Sequence, residues 1–139
     1  MIIEILIFIF LWFTMCGLWH ETMHTLECER QGSQGTFWIV FNGIIPGMRC
    51  SCYSFTGNLN RDLYLLAGGV YTSIICFILV FLFDGFVSWT FLTLGFVQLA
   101  YGFFEYKYID VMSTNKYTIG RYLIYVIIVF VMMLIYFLA

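Results

Sequence analysis

The sequence predicts an all-α integral membrane protein: four transmembrane helices in a single domain spanning residues 1–139, with a short β-hairpin in the loop between helices 1 and 2. Three observations predict it. The first is composition: 63% of the 139 residues are apolar, 22% aromatic and 10% charged, whereas ordinary globular chains are about 45–50% apolar and about 25% charged. Mean hydropathy is +0.95, so the surplus apolar surface calls for a lipid bilayer as its partner. The second is the spacing of apolar stretches, which run from Ile2 to about Leu26, Leu63 to Phe83, Phe86 to Phe104 and Ile119 to Ala139. Each is close to the ~20 residues that carry a helix across a ~30 Å hydrocarbon layer. The third is the placement of the cations: Arg30, Arg49 and Arg61 fall between the first two stretches, Lys107, Lys116 and Arg121 between the last two, and none at Asp84-Gly85. Lys and Arg near span ends are retained in the cytoplasm, so both charged loops belong there, with the N- and C-termini outside. Nucleic acid is excluded as a partner, because 6 Lys+Arg against 8 Asp+Glu leave a net charge of -2 and no basic stripe.

Taken in order, the first span is a retained helix rather than a cleaved signal, since Met1-Ile2-Ile3-Glu4 has no positive start and no small-residue cleavage site comes after it. It is longer than a crossing needs, so its far end reaches the opposite interface, where Trp19 reads as an anchor. The loop from about Glu29 to Asp62 is rich in Gly, Ser, Asn and Cys. Two β-prone runs within it, Thr36–Phe41 and Met48–Phe55, with Asn42-Gly43 and Pro46-Gly47 as turn dipeptides, predict the hairpin. Phe37 to Phe41 are apolar enough to dip that hairpin into the interface. Ala67, Gly68, Gly69, Thr72 and Ser73 give span two a small-sided face suited to close helix approach.

Near the cytoplasmic end of span one stands His20-Glu21-Thr22-Met23-His24, an H-E-x-x-H pattern holding both histidines of the chain. Residues four apart share a helix face, so both imidazoles reach one Zn²⁺ at about 2.0–2.1 Å. Glu21 beside them can take the proton of a water that the ion polarises. Ionisable residues at membrane depth are expensive, which weighs against a chance cluster at a helix end. A catalytic zinc needs a third protein ligand, and the candidates are Glu27, Glu29, Glu105, Asp110, Cys28, Cys50 and Cys52. Glu27 lies about 10 Å along the axis from His20, too far for the same coordination sphere. His20 and His24 sit about 29–35 Å from the outer surface, and Glu105 and Asp110 about 28 and 36 Å, so depth admits both of the latter.

These pieces resemble the site-2 protease family of intramembrane zinc metalloproteases: His20-Glu21-Thr22-Met23-His24 late in a membrane helix, a loop with hairpin character, Ala67-Gly68-Gly69 opening the next helix, and an Asp after the third span. In that family the third ligand is an aspartate at the end of the third core helix. Carried over, it falls on Asp110 in Tyr108-Ile109-Asp110-Val111, ahead of Gly120-Arg121-Tyr122-Leu123. Met23 stands where the family usually has a small residue, Gly69 where it has proline, and its Asn-x-x-Pro element is missing, with Gln98 and Asp110 not reproducing the spacing. The resemblance implies Zn²⁺ held by His20, His24 and Asp110, with Glu21 as the catalytic base of a peptidase that cleaves a transmembrane protein substrate near the cytoplasmic interface. A substrate unwound into an extended strand would pair with the hairpin edge. The competing expectation is a non-catalytic metal-binding or structural four-helix subunit. In either case selectivity rests on the hairpin, the helices, a partner membrane subunit or a second copy of the chain. Cys16 and Cys76 read as packing residues inside spans. Cys50-x-Cys52, with Cys28, reads as a strand alternating Cys with Arg49, Ser51 and Tyr53, on a side of the membrane where disulfides are rare.

Overall fold

The computed structural model describes residues 2–42, 45–53, 60–108 and 115–138. Its first element is one rod of 29 residues, Ile2–Arg30, free of proline and therefore able to keep its hydrogen-bond ladder throughout. The rod has three parts: α1 (Ile2–Phe13), a π-helical segment (Thr14–Trp19) and α2 (His20–Arg30). A π turn inserts extra backbone and so shifts the facing of α2 relative to α1. Helix α1 buries nothing, whereas α2 buries His20, Met23, His24, Glu27 and Cys28. Hydroxyls along the rod are satisfied by carbonyls four residues back: Thr14 donates to Phe10 at 2.8 Å, Thr22 to Leu18 at 2.7 Å and Thr25 to Glu21 at 2.9 Å. The rod stops where Gly32, at φ 75°, lets its N–H reach Glu29 O and the Ser33 N–H reach Cys28 O. That pair of bonds is a Schellman cap, which needs the left-handed backbone that glycine adopts freely.

Strands β1 (Gln34–Asn42) and β2 (Ile45–Tyr53) pair antiparallel, with Gln34 opposite Tyr53 and Asn42 opposite Ile45. The expected hairpin is present and longer in its first strand than its β-prone run. Pro46-Gly47 is not a turn. Both residues lie inside β2, opposite Phe41 and Val40, because a two-stranded sheet leaves each strand one unpaired edge that tolerates a residue without an N–H. The connection is the two residues 43–44 after Asn42, outside the described residues. The sheet lies against α2 so closely at Gly35 that an added Cβ would sit 2.7 Å from the Thr25 methyl.

Helix α3 (Arg61–Val80) begins at Asn60, whose side chain accepts the Leu63 N–H at 3.2 Å, an ordinary N-cap. A turn at Phe81–Asp84 and Gly85, at φ 58°, lead into α4 (Gly85–Tyr108). The last helix, α5 (Asn115–Leu138), rests on α4, with the Trp89 indole N–H donating to Met132 O at 2.8 Å. Helices α3 and α4 approach closely where Gly69 faces Gly102: a Cβ on Gly69 would overlap the Gly102 backbone. This is the small-residue contact that membrane helices use in place of hydrophobic attraction. Met15, Cys76, Phe91 and Leu94 form an apolar core between the rod, α3 and α4.

Three helices are long and apolar enough to cross a membrane, Ile2–Arg30, Arg61–Val80 and Gly85–Tyr108; in α5 the apolar stretch among the described residues is Leu123–Leu138. Large apolar side chains cover the outside, Ile2 at 73% exposure and Phe10 at 67% among them, while His20, His24, Thr72, Thr90, Thr93 and Gln98 are buried. The inversion of an aqueous protein's pattern is what a lipid-facing chain requires.

Candidate metal centre

Helix α2 sets His20 and His24 one turn apart, each 2% exposed, with ring centroids 4.7 Å apart. Glu105, near the end of α4, closes a triangle with them. Its Oε2 lies 3.2 Å from His20 Nε2 and 3.2 Å from His24 Nε2, and the two Nε2 atoms are 3.1 Å apart. Ligands at about 2.0–2.1 Å around a tetrahedral zinc stand roughly 3.3–3.4 Å from one another. The three groups form the one cluster of this kind among the described residues that could hold a metal ion.

Each imidazole is oriented from behind. His20 Nδ1 donates to Gln98 Oε1 at 2.8 Å, and His24 Nδ1 donates to the main-chain carbonyl of Tyr64 at 2.7 Å. A backbone carbonyl only accepts, so His24 carries a proton on Nδ1, and Nε2 is the atom that faces Glu105. Outer partners of this kind fix tautomer and ring direction in metal sites. With both Nε2 atoms unprotonated, two imidazoles and a carboxylate offer three ligand atoms to one cation. Gly68 on α3 supplies the space: a Cβ there would lie 2.7 Å from His20 Nε2 and would overlap His24 Nε2. Donor set and cradle both fit a small cation such as Zn²⁺.

Glu21 is half-buried and lines two cavities beside this triangle. One, of about 160 Å³, also touches Trp12, Cys16, His20, Gln98 and Tyr101. The other, of about 390 Å³, is walled by His24, Arg49, Cys50, Tyr64, Leu65 and Glu105. A carboxylate next to the metal ligands and open to a water-sized space is placed to accept a proton there.

The remaining sequence candidates fall elsewhere. Asp110 lies outside the described residues. Glu27 is buried but already engaged, by Arg30 at 2.8 and 2.6 Å, by Gln31 at 2.7 Å and by the Tyr71 hydroxyl at 3.3 Å. It ties α2 to α3. Glu29 is exposed. Cys28 and Cys52 form a disulfide with Cα atoms 5.8 Å apart, which withdraws both from any ligand set and bolts β2 to α2. Cys50 faces the larger cavity, its Sγ 3.0 Å from the Tyr64 hydroxyl. Burial first, then the nearby Glu21 carboxylate, push its thiol up to about 12, so it stays protonated at neutral pH.

Sequence reasoning does not assign Gln98, Tyr64 or Gly68 to the site. Gln98 has a signal, as the one amide in an apolar helix. Tyr64 acts through its main chain, which no side-chain pattern encodes. Comparison with protein-family models, with curated proteins and with solved structures finds no match to this chain.

Proposed function

We propose that this chain is an intramembrane zinc metallopeptidase that cleaves a membrane-anchored protein near the cytoplasmic edge of its transmembrane segment. One observation carries the reading: His20, His24 and Glu105 converge on a point beside Glu21, at the end of helices long and apolar enough to cross a bilayer. On this reading α5 is the fourth crossing and both termini lie outside. Glu105 takes the third ligand position. Zinc, when bound, polarises a peptide carbonyl and makes water acidic enough to be deprotonated near neutral pH. Glu21 holds that water and takes its proton, then returns a proton to the departing amine. Gln98 and the Tyr64 carbonyl keep the imidazoles in register, and the cavity walled by Arg49 and Cys50 admits water and an extended stretch of substrate. The exposed edge of the hairpin offers backbone groups to that stretch.

Orientation rests on the cations. The Cys28–Cys52 bond weighs the other way, since such bonds persist where thiols are not kept reduced. The site chemistry is the same on either face.

The test is purification in detergent, measurement of bound zinc, and comparison of wild type with Glu21→Gln on a model membrane substrate. Expected are one zinc per chain in both proteins, and cleavage by the wild type alone. Zinc in both with equal cleavage removes Glu21 from the chemistry, and zinc with no cleavage by either leaves a non-catalytic metal-binding subunit.

A further inference from the structure

We propose that the Tyr64 hydroxyl is a second catalytic donor of this site, the group that meets the oxygen of the scissile carbonyl as it becomes negative; the inference rests on the peptidase reading above. Tyr64 makes three separable contacts. Its main-chain carbonyl accepts from His24 Nδ1 at 2.7 Å, its ring lies 5.0 Å from the His24 ring, and its hydroxyl points past the imidazole to Cys50 Sγ at 3.0 Å. The first contact orients a ligand without the side chain, so the phenol is not needed for it.

The direction of the hydroxyl carries the proposal. Tyr64 lines the 390 Å³ cavity together with Glu21, His24, Cys50 and Glu105. Cys50 and Glu21 line that cavity together. The phenol therefore borders the same space as the carboxylate that serves as base and as His24 and Glu105. A carbonyl carbon attacked by water held on Glu21 lies in the space between, and its oxygen falls within reach of Tyr64. A thiol is a weak hydrogen-bonding partner, so the phenol gives it up readily for an oxyanion, the stronger acceptor. Arg49 lines the same cavity, but its side chain is exposed to solvent on the hairpin, where water competes for its charge.

The step balances without a further reactant. The water oxygen bonds to the carbonyl carbon, the carbonyl π pair moves onto its oxygen, and the water proton goes to Glu21. Tyr64 donates a hydrogen bond to that oxygen and keeps its own proton. The oxygen's pair then restores the double bond as the C–N bond breaks, and Glu21 passes its proton to the amine nitrogen.

Tyr64→Phe removes the hydroxyl and leaves the backbone carbonyl and the ring. Loss of one oxyanion donor lowers kcat by about 100- to 1000-fold. The expected result is that loss with zinc content and KM unchanged. Affinity for a phosphonamidate peptide, which mimics the tetrahedral state, should weaken by a similar factor while a plain product peptide binds as before. Wild-type kcat in Tyr64→Phe overturns the inference alone, as does a loss of zinc, which would make Tyr64 a structural support of His24. A comparable loss in Arg49→Gln with none in Tyr64→Phe moves the role to the guanidinium. A wild type that cleaves nothing takes the peptidase reading and this inference down together.

Discussion

The two ends of the first rod invert each other. Helix α1 is apolar apart from Glu4 and buries no side chain, whereas α2, continuous with it, buries two histidines and a glutamate. In water the first arrangement would leave an unmanageable apolar surface and the second would strand polar groups. In a bilayer the exposed apolar side chains of α1 need no protein partner, because lipid is as apolar as leucine. Helix α2 needs one for every polar atom, because an unsatisfied group at that depth costs several kcal/mol. Its partners are found: Gln98 and Tyr64 for the imidazoles, and Arg30, Gln31 and Tyr71 for Glu27. The difference teaches that specificity in this fold is concentrated in one half of one helix, and that the other half is held by the solvent.

Substitutions around α2 should therefore be severe, and those at the exposed positions of α1 nearly silent. The largest effect is expected at Glu105. Glu105→Ala leaves two imidazoles and open space, and zinc affinity, read by competition with a chromogenic chelator, should fall by more than the about 100-fold that loss of an outer partner costs. Retention of zinc at wild-type affinity would hand the third position to Asp110. Gly68→Ala comes next. The methyl would crowd both Nε2 atoms and push the rings from their places, so zinc should be lost or its occupancy reduced. Overpacking adds about 1–3 kcal/mol of destabilisation, which a denaturation curve in detergent would register.

Gln98→Leu keeps most of the volume and removes the acceptor behind His20. The ring is then free to turn and to exchange tautomers. Zinc affinity should drop by about 10- to 100-fold, while Gln98→Glu, which still accepts from Nδ1–H, should keep it. A loss in both variants would mean that packing rather than the hydrogen bond sustains the site.

Much of this contrast is legible in the sequence. Periodic apolar runs mark the helices, and H-E-x-x-H marks the metal face, because both patterns are local. The apolar run ends at about Leu26 while the rod continues to Arg30, because Glu27, Glu29 and Arg30 look like solvent-facing residues until Glu27 is seen paired across to Tyr71. Pro46-Gly47 reads as a turn because the edge position that tolerates proline exists only once β1 is paired. Glu105 stands among the candidates by depth, but depth cannot tell which way a side chain turns about a helix axis. The Cys28–Cys52 bond joins residues 24 apart in sequence, a pairing set by how the sheet lies on α2, which composition does not carry. Gly68 stands out only as part of a small-sided face, and its use as a cradle depends on where two imidazoles from another helix point.

The smallest effect should come from the exposed apolar half of the rod, and it tests the contrast most sharply because it asks for nothing to happen. Phe10 is 67% exposed, so its ring gains little from the rest of the protein, and in a bilayer acyl chains would solvate it. Phe10→Leu exchanges one apolar side chain for another in that environment, and stability in detergent should stay within about 0.5 kcal/mol, the usual range for surface changes away from special features. Zinc affinity should not move. Phe10→Asp at the same position is expected to hinder insertion, since a carboxylate at the helix centre costs about 2.5–3.5 kcal/mol on insertion scales. If Phe10→Leu instead destabilised the protein as a buried truncation does, by about 2–5 kcal/mol, then α1 would be packing against something other than lipid, and the apolar groove it shares with α5 along Phe8, Trp12, Tyr125 and Val129 would be the first place to look for it.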